Sequence, residues 1–241
     1  MTISSAQDVT RLGRILGVWA HPDDETFTSA GIMSVAITNN QEVMCVTATK
    51  GEQGVQNESK WPKARLASIR KAELETAFNI LGVSNHVWLE YKDGHCREDD
   101  DSAIKEISKI INEFKPDSIL TFGKDGITGH SDHRAVSCWV TQALQAVKSK
   151  PTTYHAAHTN KQYTDYLGTL DQKLNIFFNV DEPYFYDEKD CHICFKLDKN
   201  LSKKKYQALE AMPSQTEVLR STFSEEFICL AFSTEVFVVA K

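Results

Sequence analysis

No stretch of the 241 residues approaches the roughly 20 consecutive apolar residues that a bilayer span requires. Residues 1–17 show neither a long apolar run nor the shape of a signal peptide, so the chain reads as cytoplasmic. A basic excess is also missing. The 27 Lys and Arg residues face 33 Asp and Glu, a formal net charge of −6. That balance offers no footprint for a phosphate backbone or an anionic membrane surface, and nucleic acid drops out as an expected partner. There is no internal repeat, no low-complexity tract and no clear linker. The six cysteines (Cys45, Cys96, Cys138, Cys191, Cys194, Cys229) are scattered, which predicts reduced thiols, mostly in the core.

What remains is ordinary globular material, 41% hydrophobic and 25% charged. The chain is long enough to bury a core without metal or disulfide staples. Leu12–Ala20, Glu42–Ala48, His86–Tyr91 and Ser118–Phe122 read as short buried strands. Glu25–Asn39, Arg65–Leu81, Ser102–Phe114 and His133–Val147 read as the helices between them, with Gly82 capping the second and Pro116 following the third. Four strand–helix alternations predict an α/β fold with a mostly parallel sheet. After Pro151 the pattern changes. Tyr154–Tyr186 is aromatic-rich and irregular, Cys191–Leu197 and Glu226–Ala240 read as strands, and a helix is expected around Ser202–Ala211. The expectation is one domain over 1–241, with a core at 1–150 and a C-terminal elaboration at 151–241 that walls the site.

Two segments concentrate the chemistry. Ala20-His21-Pro22-Asp23-Asp24-Glu25 follows the first strand, and Gly129-His130-Ser131-Asp132-His133 follows the fourth. Sites in such sheets form in loops beyond the carboxyl ends of strands. The two segments together supply the imidazoles and carboxylates that zinc and similar ions prefer, and such an ion makes water acidic enough to attack at neutral pH. Each has a plainer reading by itself. The first could be an acidic turn at a helix N-terminus, and the second a polar loop opening a helix. Their joint placement at two strand ends favours the metal.

The pair resembles the signature of the LmbE-like, or PIG-L, deacetylase family. Further matches run in the same order: Thr49-Lys50-Gly51-Glu52-Gln53-Gly54, Arg70 with Glu73, Leu81-Gly82-Val83, Asp93-Gly94 and Thr121-Phe122-Gly123. The resemblance covers about residues 12–150 and weakens beyond. It implies a Rossmann-like three-layer sandwich whose C-terminal third adds strands around the site. It implies a zinc-dependent hydrolase, with Fe2+ as the alternative ion in the cell, that removes an N-acyl group, above all N-acetyl, from an amino sugar or its conjugate. The ligands fall on His21, Asp24 and His133. Asp23 becomes the general base, His130 the group that meets the oxyanion or the leaving amine, and Asp132 the carboxylate that orients a histidine. Glu52, Arg70 and Asp93 become substrate contacts.

Two positions depart from the family pattern. Met212, in Leu209–Gln215, stands where a histidine is usual, and Thr128 stands where the branch acting on thiol-sugar precursors has a tyrosine. Other residues carry less. Cys191-His192-Ile193-Cys194 lacks a second pair and reads as strand. Tyr154-His155-Ala156-Ala157-His158 reads as a loop near the cleft mouth rather than a second metal pair. His86 and His95 read as structural or surface histidines, and Trp19 as core. Arg97–Asp101 reads as a solvated turn capping the next helix. The alternatives kept open are a zinc amidase for a thiol conjugate or a non-sugar acyl amine, and a non-catalytic sugar-binding protein. The oligomeric state is left open as well, with a homo-oligomer among the options.

Overall fold

The computed structural model describes residues 2–240. Its strands are β1 (Ile15–Trp19), β2 (Val43–Thr49), β3 (Asn85–Tyr91), β4 (Ser118–Phe122), β5 (Thr152–Ala156), β6 (Ile193–Lys196) and β7 (Thr234–Val239). They form one sheet in the order β3-β2-β1-β4-β5-β7-β6. The first five strands run parallel, and β7 runs antiparallel to both β5 and β6. Every residue of β1 and β4 is buried, which is why these strands are continuous apolar runs rather than alternating ones.

The main helices are α1 (Asp24–Thr38), α2 (Lys63–Leu81), α3 (Asp101–Phe114), α4 (Ser131–Ala146), α5 (Gly168–Leu174), α6 (Lys199–Glu210), α7 (Pro213–Thr222) and α8 (Glu225–Ala231). The chain steps outward from β1 to β2 to β3, then returns past β1 to β4. Right-handed crossovers therefore put α1 and α2 on one face and α3 and α4 on the other. α6 packs on α1 and α2, while α3 packs on α4. The reversal of strand order lies between β1 and β4, so their carboxyl ends open a crevice for a site. Asp100 caps α3 by accepting from the backbone N–H groups of Ser102 and Ala103, as expected for that acidic turn.

Several boundaries differ from the sequence reading. Leu12 belongs to a 3-10 turn, Asp8–Leu12, and the first strand begins only at Ile15. Glu226–Ala240 is not one strand. Ser224 accepts from the Phe227 N–H and starts α8, and the strand begins at Thr234. Phe227–Ala231 is a short apolar run that suits a buried helix as well as a strand, so periodicity could not separate the two. Tyr154–Tyr186 is more regular than expected. Tyr154–Ala156 lies within β5, and a helical stretch runs from Asn160 through a π turn at Tyr163–Leu167 into α5. Among the described residues no helix is long and apolar enough to cross a membrane.

Candidate active site

The turn after β1 and the loop after β4 meet over the crevice. The Ala20 carbonyl accepts from the Thr49 N–H and hydroxyl, 2.9 and 3.0 Å away, which pins the first turn to the end of β2. Asp23 has φ 125°, a backbone region that side-chain-bearing residues rarely adopt, and strain of that kind gathers at functional sites. On the other side, the ring of Phe122 stacks on His133 with centroids 4.1 Å apart and planes within 8°.

Two ring nitrogens and a carboxylate converge. His21 Nδ1 and His133 Nε2 lie 3.2 Å apart. The Asp24 carboxylate spans both, with Oδ2 3.6 Å from the first and Oδ1 3.3 Å from the second. Tetrahedral ligands about 2.0–2.1 Å from a zinc ion stand roughly 3.4 Å from one another, so the spacing fits. The tautomers fit too. His133 Nδ1 donates to the Gly126 carbonyl at 2.9 Å, and Thr128 Oγ1 stands 3.3 Å from the same nitrogen. His21 Nε2 faces Asp93 Oδ1 at 3.1 Å and Asp132 Oδ2 at 3.3 Å, so it carries the proton. The two remaining ring nitrogens then point lone pairs at each other and at a carboxylate, which only a cation reconciles. Without a metal a proton takes that place. Burial opposes charge on His21, but the hydrogen bonds to Asp132 and Asp93 and the Asp24 charge hold its pKa up to about 10. Burial works against the Asp24 charge too, yet the neighbouring histidines carry its carboxyl well below the usual range.

His21, Asp93 and Asp132 make a second cluster of possible ligands. Its carboxylates are already engaged. Asp132 accepts from the N–H groups of Gly94 at 2.7 Å and Cys96 at 3.2 Å, and Asp93 accepts from the Gln53 N–H at 2.7 Å. This cluster is placed to aim and polarise the His21 ring. A ring nitrogen of His130 lies within 4.8 Å of ring nitrogens of His21 and His133. Its Nδ1 accepts from the Asp132 N–H at 3.2 Å, which leaves Nε2 as the N–H donor of the neutral ring.

Asp23 sits between opposing influences. Burial pushes its pKa up to about 6 against the pull of Arg70, whose guanidinium donates to Asp23 Oδ2 at 3.2 Å. The same guanidinium donates to the carbonyls of Gly51 at 2.7 Å and Pro22 at 2.6 Å. Glu52 accepts from the Asp93 N–H at 3.0 Å. The three residues that the resemblance placed on substrate are thus close to the site, but the polar atoms of Arg70 and Asp93 are largely engaged by the protein itself. Glu73 is linked elsewhere, accepting from the N–H and hydroxyl of Ser214 at 2.9 and 2.5 Å. Met212, 1% exposed, fills core beside that link.

The sequence reading expected residues 151–241 to wall the site but named few of the residues that form the wall beyond Asp24 and His133, His158 among them. A cavity of about 220 Å³ opens there, lined among others by Phe27, Phe122, Ile127, Leu167 and Phe177. Much of it comes from the aromatic-rich segment after β5 and from the turn before β7. Apolar composition was the only signal, and it reads equally as core. His158 lines this cavity and is held neutral by burial, with its pKa lowered to about 4. His155 is in the interior strand β5 and His158 lies just beyond its end, so the segment is a strand running into a loop rather than a loop throughout, and not a helical metal pair.

Comparison with known proteins places this geometry in context. The chain is 33% identical over 147 residues to 1D-myo-inositol 2-acetamido-2-deoxy-alpha-D-glucopyranoside deacetylase 1 of Catenulispora acidiphila, covering 52% of this chain and 46% of that protein. It is 28% identical over 187 residues to the mycothiol S-conjugate amidase of Streptomyces coelicolor, covering 69% of this chain and 60% of that one. The chain therefore spans about half the length of the curated relatives it matches. The fold is similar to that of N,N'-diacetylchitobiose deacetylase from Pyrococcus horikoshii, with a TM-score of 0.61, 21% identity, and coverage of 94% of this chain and 83% of that one. The GlcNAc-PI de-N-acetylase (PIG-L) family model matches residues 16–144, more than half the chain and the stretch that carries both halves of the site, and the chain belongs to that family.

Proposed function

We propose that the protein is a zinc-dependent hydrolase that removes an N-acyl group from an amino sugar or amino-sugar conjugate. The observation that carries this reading is the convergence of His21 Nδ1, His133 Nε2 and the Asp24 carboxylate within 3.2–3.6 Å, flanked by a third imidazole, that of His130. When bound, the ion supplies a Lewis acid that polarises the amide carbonyl and makes water acidic. Ferrous iron suits the same donors, and the choice in the cell belongs to metal supply.

Asp23 is the general base in this reading. Arg70 holds one of its oxygens, so the carboxylate stays in place, and a pKa pushed up to about 6 by burial makes it a better base than an exposed aspartate. The neutral His130 presents its Nε2–H to the carbonyl oxygen as negative charge develops, and the proton that Asp23 takes from water passes on to the leaving amine. Asp132 and Asp93 hold His21 in the tautomer that leaves Nδ1 free. We assign Arg70 and Asp93 chiefly to positioning, and Glu52 to supporting the Asp93 loop, with substrate contact secondary. Relatives named as a deacetylase and an amidase for acetylated or conjugated amino sugars support the bond class.

The test is release of carboxylate from a panel of N-acyl glucosamine conjugates, with metal-stripped and zinc-restored protein side by side. Zinc-dependent release is expected. One tightly held ion without release from any member would move the substrate away from acylated amino sugars. Absence of both metal and release would favour a binding protein built on the same fold.

A further inference from the structure

The cavity beyond Asp24 and His133 has features that an acetyl methyl does not need. Its wall includes those two ligand residues but none of Asp23, His130, Glu52 or Arg70, so it leaves the metal centre on the side away from the polar groups. The rest of the lining is dominated by aliphatic and aromatic side chains. Most of its polar groups are already engaged, the His158 ring and the Thr234 hydroxyl being the exceptions among the described residues. Glu235 accepts from the N–H groups of Gly31 at 2.7 Å and Ile32 at 2.8 Å and from Lys205 at 2.9 Å. Gln162 donates to the Thr234 carbonyl at 2.8 Å and accepts from the Thr159 N–H at 2.9 Å. Thr28 donates to the Asp24 carbonyl at 2.6 Å. A sugar ring placed here would strip its hydroxyls of water and find few partners, which is costly.

The wall is also held under strain. Ile127 has φ 57°, a real outlier for a β-branched residue, and it sits between Gly126 and Gly129 in the turn whose carbonyl orients His133. The fold keeps an apolar side chain at this point of the cavity at a backbone cost. On size, an apolar cavity of about 150 Å³ holds a benzene ring, so the 220 Å³ here takes roughly six to eight carbons.

We propose that this cavity is an acyl pocket, and that the substrates of this chain carry an unbranched or aromatic N-acyl group of about six carbons rather than acetyl alone. The proposal rests on the amide-hydrolase reading above and names the group that is released. Water contributes its oxygen to the acyl carbon, the C–N bond breaks, and the chain leaves as a carboxylate while the amine takes the proton. The amino sugar stays on the polar side, near Asp23 and His130, and the acyl chain extends past Asp24 and His133.

The experiment uses the zinc-restored protein and one amine, glucosamine, acylated with chains from acetyl to dodecanoyl. Amine release is measured, and binding of the free carboxylates acetate, hexanoate and dodecanoate is followed by calorimetry. Burial of each methylene is worth about four-fold, so kcat/KM is expected to climb by about that factor per carbon to about C6–C8 and then fall. Hexanoate should bind at least ten-fold more tightly than acetate. In Ala157→Phe, which adds a ring to the cavity wall, the optimum should move to shorter chains. A steady decline from acetyl onward would overturn the pocket and leave the deacylase standing. If nothing is released but hexanoate still outbinds acetate, the pocket is upheld and the hydrolase reading fails. If neither release nor chain-length dependence is found, both fail. The wild-type series decides the matter even if the variant does not fold.

Discussion

His21 is engaged on both sides of its ring, and that division explains the local chemistry. Nδ1 faces His133 and Asp24, and Nε2 faces two carboxylates. Removing a ligand and removing an orienting partner should therefore differ in degree. Asp24→Ala or His133→Ala is expected to abolish stoichiometric zinc binding, read by metal analysis after dialysis. Asp132→Asn leaves all three ligands but unsettles the His21 tautomer, so zinc affinity should weaken by roughly 10- to 100-fold in a competitive chelator titration. Asp23→Asn should keep the metal and lose turnover by on the order of 10²–10⁴; full activity in Asp23→Ala sinks the base assignment. At this scale the sequence was most readable. His21, Asp24 and His133 were named from motif and resemblance, and the structure brings them together. The use of Arg70 and Asp93 inside the protein was not readable, because a hydrogen-bond partner 40 residues away leaves no local pattern.

Between elements, the site depends on how two turns approach each other. Gly129, at φ 76°, ends the turn before α4, and a Cβ there would fall 2.3 Å from Val180 Cγ2 and 2.6 Å from the Asn179 carbonyl oxygen. Gly129→Ala should thus combine an unfavourable backbone with displacement of the segment that roofs the cavity. A loss of about 1–3 kcal/mol is expected in urea unfolding, with weaker zinc binding because His130 and His133 follow directly. Helices and strands of the first 150 residues were legible to within a few residues, since their apolar period is long and their caps are marked by Gly82, Asp100 and Pro116. α7 was not anticipated, and α8 was read as strand. Both are short, and ten residues or fewer carry too little periodicity to outweigh their apolar content.

Across the whole molecule, the C-terminal third is tied to α1 by a buried pair. Lys205 Nζ lies 2.9 Å from Glu235, which also receives the Gly31 and Ile32 N–H groups. Lys205→Met strands a buried carboxylate and should cost about 3–5 kcal/mol in global stability, whereas a surface pair such as Lys109–Glu113 should cost well under 1 kcal/mol. A second prediction concerns pH. His158 has its folded pKa lowered to about 4 by burial, from an ordinary value of 6.5. Between those values the unfolded chain binds the proton and the folded chain does not, so this group's contribution is complete above about pH 6.5 and is lost as pH falls toward 4. Glu25, raised to about 8 by burial, slopes the other way, since its contribution is lost as pH rises from 4.5 toward 8. The check is therefore a difference. The stability of metal-stripped wild type relative to His158→Gln should fall by up to about 3 kcal/mol from pH 7 to pH 4 in urea titrations. A difference independent of pH would contradict the buried, neutral state of His158.

Composition, the apolar runs and two motifs determined the α/β class, the order of the first four strand–helix units and the two segments that could hold a metal, because each rests on neighbours within a few residues of chain. Tertiary structure alone decided the rest. It turned β7 antiparallel to β5, set Asp93 and Asp132 behind His21, and brought residues from 156 to 236 around one side of Asp24 and His133. Those outcomes depend on packing between segments distant in the chain, such as His21 and Asp132, 111 residues apart. Apolar side chains in such segments look alike in the sequence whether they fill a core or line a pocket.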